Sequence, residues 1–143
     1  MRIISGKFKG KTINFLKNLN TRPLKDSVKE NIFNILCHSK LINLKLNKAT
    51  ILDLYSGVGS FGLECASRGA KKVTFIERNK EAFETLNKNI IKLSIIDQVE
   101  IINDQIENFL KKNKNEKFNI FFFDPPFAET HFVDYLDFIK RNK

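Results

Sequence analysis

The sequence predicts an α/β fold: a mostly parallel, doubly wound sheet with helices on both faces. Three observations predict it. Strand-type apolar runs alternate with helix-type periodicities from Ile51 to Arg141, a glycine-rich turn follows the first buried-type strand, and an acid stands at the end of each predicted strand. Strands separated by helices pair in parallel through crossover connections, which favours this topology over a meander.

Residues 1–20 read as a short basic β-hairpin, with Arg2-Ile3-Ile4 and Lys11-Thr12-Ile13 flanking a turn between Gly6 and Gly10. After Thr21-Arg22-Pro23, Asp26 is placed as an N-cap, and Val28, Ile32, Phe33, Ile35 and Leu36 recur at helical spacing. A polar stretch from Asn43 to Lys48 leads into strand Ile51–Tyr55. The next helix runs from Gly62 to Arg68 and stops at Gly69, where a left-handed cap is expected. The remaining elements are strand Lys72–Glu77, helix Lys80–Lys92, strand Gln98–Asn103, helix Ile106–Lys112, strand Phe118–Phe123 and a helix over His131–Arg141.

At 143 residues and 42% hydrophobic, the chain suits one domain over 1–143, divided into the hairpin (1–20) and a ligand-binding core (21–143). A net charge of +9 and a pI near 9.6 point to a polyanionic partner, because lysine and arginine release counterions from phosphates. Cys37 and Cys65 are far apart and form no CxxC, so neither a metal site nor a disulfide framework is expected, and both are assigned structural roles. No apolar stretch approaches membrane-spanning length and the N-terminus does not read as a signal peptide, so a reduced cytoplasm is the expected setting.

The acids at the predicted strand ends are Asp53, Glu77, Asp104 and Asp124, and in doubly wound sheets ligands bind beyond those ends. Gly57-x-Gly59-x-x-Gly62 satisfies a dinucleotide fingerprint, and Glu77 lies twenty residues past Gly57, where an acid holds a ribose diol. A pyrophosphate would meet Asp53 unfavourably. A cationic amino-acid group would be welcome there, and S-adenosylmethionine, with its sulfonium and α-amino charge, fits better than a nicotinamide dinucleotide. Its ribose would use Glu77 and its adenine amino group Asp104.

Asp124-Pro125-Pro126-Phe127 follows the run Phe118-Asn119-Ile120-Phe121-Phe122-Phe123. Proline removes backbone donors, leaving carbonyls free to accept. The Asp124 carboxylate and the Pro125 carbonyl would take the two hydrogens of an aromatic amino group and so free its nitrogen lone pair, while Phe127 offers a stacking face. Taken alone, the same residues also describe a strand stopped by Pro-Pro, with Asp124 as a turn acid.

Asp53-Leu54-Tyr55-Ser56-Gly57-Val58-Gly59, Gly62-Leu63-Glu64, Ser67-Arg68-Gly69-Ala70 and Asp124-Pro125-Pro126-Phe127 together resemble bacterial 16S rRNA (guanine-N2)-methyltransferases of the RsmD type. Met1-Arg2-Ile3-Ile4-Ser5-Gly6, Thr21-Arg22-Pro23, Asp26 and Val28-Lys29-Glu30-Asn31-Ile32-Phe33-Asn34-Ile35-Leu36 extend the resemblance over nearly the whole chain. It implies a Rossmann-like class I S-adenosylmethionine-dependent fold. Cofactor contacts are implied at Asp53, Tyr55, Ser56, Gly57, Gly59, Glu77, Arg78, Asp104 and Gln105, and catalytic contacts at Asp124, Pro125, Pro126 and Phe127. Arg2, Lys7, Lys9, Lys11 and Arg22 would meet the phosphates of 16S rRNA or of a small-subunit assembly intermediate. Glu64 and Arg68 match the pattern as bracing or ligand residues. Ser27 stands where the family often has a basic residue. The glycine loop and the Asp-Pro-Pro-Phe motif are shared by many amino-methyltransferases, so adenine-N6 and cytosine-N4 remain alternative targets, as does a noncatalytic RNA-binding remnant. Members continue into further strands where this chain stops at Lys143, so the Phe118–Phe123 strand is expected at a hydrophobic sheet edge able to pair with another chain.

Overall fold

The computed structural model describes residues 1–17, 24–42 and 44–142. Thr21-Arg22-Pro23, and with it the RNA contact expected of Arg22, lies outside them. In chain order the elements are α1 (Asp26–His38), β1 (Thr50–Leu54), α2 (Ser60–Ser67), β2 (Lys72–Ile76), α3 (Lys80–Leu93), β3 (Val99–Ile102), α4 (Ile106–Lys112), β4 (Ile120–Phe123) and α5 (Phe132–Asn142). Single 3₁₀ turns at Leu46–Lys48 and Ile96–Gln98 lead into β1 and β3.

All four strands are parallel, in the order β3-β2-β1-β4. The chain moves outward from β1 through β2 to β3 and then returns to the opposite flank of β1. That reversal opens a crevice between the carboxyl ends of β1 and β4, the standard ligand position in doubly wound sheets. As expected, β4 stands at an outer position, with Ile120–Phe123 all partly buried.

Side chains alternate across the sheet with period two. Ile51, Val73, Phe75, Ile120 and Phe122 pack with α1, α2, α3 and the hairpin, whereas Leu52, Leu54, Ile76, Phe121 and Phe123 pack with α4 and α5. On the first face, Phe33 of α1 stacks on Phe61 of α2 at 5.2 Å, and Phe61 stacks on Phe122 of β4 at 3.8 Å. This column ties the strand that leads to Asp124 into the centre of the core.

The hairpin closes through Ile3 N–H to Lys11 O (2.9 Å), Gly10 N–H to Ile3 O (2.9 Å) and Ile13 N–H to Met1 O (3.0 Å), with Arg2 and Thr12 as an antiparallel bridge. Ile3, Phe8 and Ile13 enter the same core as the sheet. The hairpin is therefore docked on the sheet.

Four details depart from the sequence expectations. Asp26 is the first residue of α1, preceded by Lys25 without a side-chain cap, and its carboxylate takes Arg2 Nε at 3.3 Å. Helix α2 starts at Ser60, because Gly59 already turns the chain at φ 90°. On α1, Val28 and Ile35 are exposed while Lys29 is buried, since a carboxylate of α2 waits beneath it. Cys65 is buried but Cys37 is exposed, so only Cys65 has a packing role.

Candidate functional site

The parallel sheet sends all four strand ends to one side, so Asp53, Glu77, Asp104 and Asp124 gather there. They do not share one environment. Asp53 is the fourth residue of β1, opposite Phe75 and Phe122, with 2% of its surface exposed. Its Oδ2 accepts the Gly62 N–H at 2.9 Å, which braces the start of α2. Burial raises its pKa to about 8; the Gly62 bond opposes this, while Asp124 and Glu77 add to it. At neutral pH this carboxyl is largely protonated, and a cation above the loop would draw the proton off.

Gly62 allows that approach, because a Cβ there would overlap the Phe75 ring. The third and fourth residues after Asp53, Ser56 and Gly57, form the turn itself. Tyr55 enters it with φ 58°, a left-handed conformation uncommon for a non-glycine residue and typical of constrained sites. Ser56 then donates both its N–H (3.1 Å) and its hydroxyl (3.0 Å) to Ile76 O, which pins the loop to the end of β2.

Glu77, just past β2, completes the frame. Its Oε2 accepts the Gly57 N–H at 2.7 Å, and its Oε1 accepts the Asn79 N–H at 2.7 Å. Each carboxylate oxygen keeps a second lone pair, so the group remains able to accept a vicinal diol. Nothing lies within 4 Å of a Cβ built on Gly57, so the loop opens onto free space there. Two buried hydroxyls on either side of the loop in sequence, Tyr55 Oη and Ser60 Oγ, have no partner among the described residues. Burial, with Glu129 next, pushes the Tyr55 phenol up to about 12, so it stays a donor. An open cradle, an acceptor for a diol and unpaired donors fit a polar nucleoside cofactor.

Asp104 begins the approach to α4, where Gln105 N–H (2.7 Å) and Asn108 Nδ2 (2.8 Å) donate to Oδ1 and Lys112 reaches Oδ2 at 3.5 Å. The Asn108 bond, then the Gln105 bond, holds its pKa below the usual carboxylate value. Arg78 and Gln105 are exposed and line a cleft of about 480 Å³ that Tyr135 and Phe138 of α5 also border.

Asp124 follows Phe123, which is paired with Leu54, so it stands beside Tyr55 at the mouth of the crevice. It is exposed, and partial desolvation raises its pKa. Pro125 is partly buried, Pro126 is exposed, and its carbonyl accepts the Glu129 N–H at 2.9 Å, which turns the chain away. Phe127 is 94% exposed, with its ring presented to solvent.

The basic residues expected to meet RNA lie elsewhere. Lys7, Lys9 and Lys11 are exposed on the hairpin, with the Lys7 and Lys11 ammonium groups 5.5 Å and 5.1 Å from the centre of the Phe8 ring. Arg2 is exposed beside Asp26. The hairpin docks on the far end of α2, where Lys7 N–H donates to Ser67 O (2.7 Å) and Phe8 N–H to Ser67 Oγ (3.0 Å).

Glu64 and Arg68 turn out to be bracing residues. Glu64 is fully buried and accepts Ile4 N–H (2.8 Å), Ser5 N–H (2.9 Å) and Arg68 Nε (2.8 Å). Arg68 also lies over the Phe33 ring, 4.2 Å from its centre. Sequence reasoning missed Asn89, which is fully buried on α3. Its Oδ1 accepts Asn14 N–H (2.7 Å), and its Nδ2 donates to Asn14 O (3.0 Å) and to Val58 O in the glycine loop (3.1 Å). An asparagine among Leu86, Ile90 and Leu93 on an apolar helix face is the signal that would have found it. No three His, Cys, Asp or Glu side chains among the described residues gather to hold a metal ion.

A family model described as conserved hypothetical protein 95 matches residues 1–143. The ribosomal RNA small subunit methyltransferase D of Haemophilus influenzae is 39% identical over 89% of this chain and 64% of its own length, and that of Buchnera aphidicola from Acyrthosiphon pisum is 40% identical over 99% and 70%. A solved structure from Escherichia coli superposes with a TM-score of 0.83 at 29% identity, covering 99% of this chain and 72% of that one. The chain thus spans about two thirds of the length of these relatives. Its sheet order and glycine loop are those of class I methyltransferases, and the chain belongs to the RsmD-type family of small-subunit rRNA methyltransferases.

Proposed function

We propose that this protein transfers a methyl group from S-adenosylmethionine to the exocyclic N2 amino group of a guanine in 16S rRNA, acting on the rRNA or a small-subunit assembly intermediate. The observation that carries this reading is the position of Asp124, at the reversal of strand order beside the glycine loop that Glu77 and Asp53 frame. Residues 1–143 act as one methyltransferase domain, since the hairpin shares the core of the sheet. The setting is the cytoplasm, where the small subunit is assembled, and no helix among the described residues is long and apolar enough to cross a membrane. The outer edge of β4 takes a further strand, from another chain if need be, because Ile120–Phe123 is apolar at every position and, among the described residues, pairs only with β1.

S-adenosylmethionine, when bound, supplies an electrophilic methyl carbon on a sulfonium. Glu77 would hold its ribose, Asp104 with Gln105 and Arg78 would border its adenine, and Asp53 with the Tyr55–Gly59 loop would face its charged end. Asp124 and the Pro125 carbonyl accept the two amino hydrogens of the base. Held this way, the amino nitrogen would have its lone pair freed to take the methyl group, a neutral thioether would be the leaving group, and the Asp124 carboxylate would take the proton the nitrogen gives up. Phe127 covers the ring face. No covalent nucleophile is required, and holding two reactants in line supplies up to about 7–11 kcal/mol. Burial raises the Cys65 thiol well above its ordinary pKa, so it stays protonated and inert.

Calorimetric titration with S-adenosylmethionine tests the cofactor, and binding of RNA without it would instead identify a noncatalytic remnant. Mapping methyl marks in rRNA from cells lacking the gene tests the target: loss of one guanine-N2 mark is expected, and loss of an adenine-N6 or cytosine-N4 mark would reassign it.

A further inference from the structure

The carboxyl end of the sheet is a poor place for a polyanion to bind by charge. Asp104, Asp124, Glu77, Glu107, Glu129 and Asp134 at the crevice and the neighbouring cleft outnumber the Arg78, Lys111 and Lys112 cations beside them. The net charge of +9 must therefore act from elsewhere on the molecule. Four segments distant in sequence bring exposed lysines to the opposite, amino end. Lys45 precedes and Lys48 ends the turn into β1, Lys71 precedes β2 with its N–H on Ala49 O (2.9 Å), and Lys117 precedes β4 with its carbonyl accepting Thr50 Oγ1 (3.3 Å). The hairpin brings Lys7 to the same end through Ser67, and Gly69 there lies against Asn47. Lys45, Lys48 and Asn119 line an open depression of about 230 Å³.

None of the ion pairs among the described residues uses these five lysines. Glu100 nearby pairs with Lys72 at 2.6 Å. Five unpaired ammonium groups on one surface release counterions when phosphates replace their ion atmosphere. A strand of five residues spans about 16 Å, so this surface lies roughly two Debye lengths from Asp124 and acts independently of the target base.

We infer that the amino end of the sheet, carrying Lys7, Lys45, Lys48, Lys71 and Lys117, is a sequence-independent anchor for the RNA backbone. It holds a large folded RNA that reaches past both ends of the sheet while the crevice takes the base. This rests on the proposed RNA substrate but not on the chemistry at Asp124.

The test is filter binding of small-subunit rRNA between about 50 and 200 mM salt. It compares wild type with a Lys45→Gln, Lys48→Gln, Lys71→Gln, Lys117→Gln variant and with a control, Lys80→Gln, Lys88→Gln, Lys140→Gln, Arg141→Gln, that loses the same charge from α3 and α5. The anchor variant is expected to lose about 3 units of the slope of log K against log salt, and the control less than about 1. Equal losses in both variants, an unchanged slope in the anchor variant, or no salt-dependent binding by wild type would overturn the inference. Circular dichroism melts verify that both variants fold. Titration of wild type with S-adenosylmethionine is read separately: its failure would sink the proposed activity, while the slopes would still decide the anchor.

Discussion

Lys29 Nζ lies 3.7 Å from Glu64 Oε2, and neither side chain exposes any surface. Lys29 also donates to Arg2 O at 2.9 Å, so one buried carboxylate organises the hairpin, α1 and α2 together. Burial lowers the Lys29 pKa, and Glu64 opposes that shift. The pair is best understood as a docking device, because desolvating two charges offsets most of their attraction.

Removing Glu64 should therefore hurt more than removing Lys29. Glu64→Gln leaves Lys29 and Arg68 as uncompensated buried or half-buried cations and is expected to lower stability by about 3–5 kcal/mol. Lys29→Met keeps the two amides and Arg68 on the carboxylate and should lose less. Urea midpoints at unchanged m-value read the difference. Equal losses would contradict the central role of Glu64.

Asp53 makes stability depend on pH in an unusual direction. Its folded pKa, about 8, lies above the ordinary 3.8, so the folded state binds the proton more tightly. Its contribution is fully present below the unfolded pKa and is lost as pH rises through the folded one. Asp53→Asn should remove that slope, leaving the variant relatively more stable at about pH 9 than at about pH 5 when compared with wild type. Parallel pH profiles would show that Asp53 does not titrate in this window. A cation bound above the loop should also release this proton, visible as a buffer-dependent heat of cofactor binding.

The two acids flanking the crevice should separate binding from transfer. Glu77→Ala removes the acceptor for the diol and the brace on Gly57, and cofactor affinity is expected to fall at least tenfold, about 1.4 kcal/mol. Asp124→Ala should abolish transfer with cofactor affinity within twofold of wild type. Calorimetry and single-turnover methylation measure the two. Normal turnover in Asp124→Ala would remove it from the mechanism, and unchanged affinity in Glu77→Ala would remove the ribose role.

Asn89→Leu should loosen the glycine loop from a distance. It strands the buried Val58 O at a cost of about 1–3 kcal/mol and releases both backbone groups of the exposed Asn14 to water. Hydrogen exchange should show lost protection at Asn14 together with weaker cofactor binding. Loss of protection at Asn14 with full affinity would limit Asn89 to holding the hairpin.

The elements were legible because their signals are local. Helix α4 matches its expected span, and the strands match within two residues, since period-two apolar runs and turn residues mark them. The left-handed Gly69 was predictable from a helix stop, and it has φ 92°. The site motifs were legible for the same reason: glycines, an acid and two prolines constrain the backbone wherever they stand. Lys29 was hidden because a lysine on a helix reads as solvent-facing until a carboxylate from a helix 35 positions later in sequence appears beneath it.

What followed from the sequence alone was the class of fold, the family and a set of candidate site residues, because each rests on local backbone preference or on a contiguous motif. Which backbone amides each buried acid braces emerged only from packing. Asp53 and Glu64 are both acids beside glycine-rich segments, yet one lies buried against the Gly62 amide and the other clamps the hairpin. The composition records a net charge of +9 but not where it lies; the parallel sheet decides that Lys45, Lys48, Lys71 and Lys117 stand at the amino end, away from Asp124. Burial and strand order are properties of the assembled chain, where distant residues set each other's dielectric and partners.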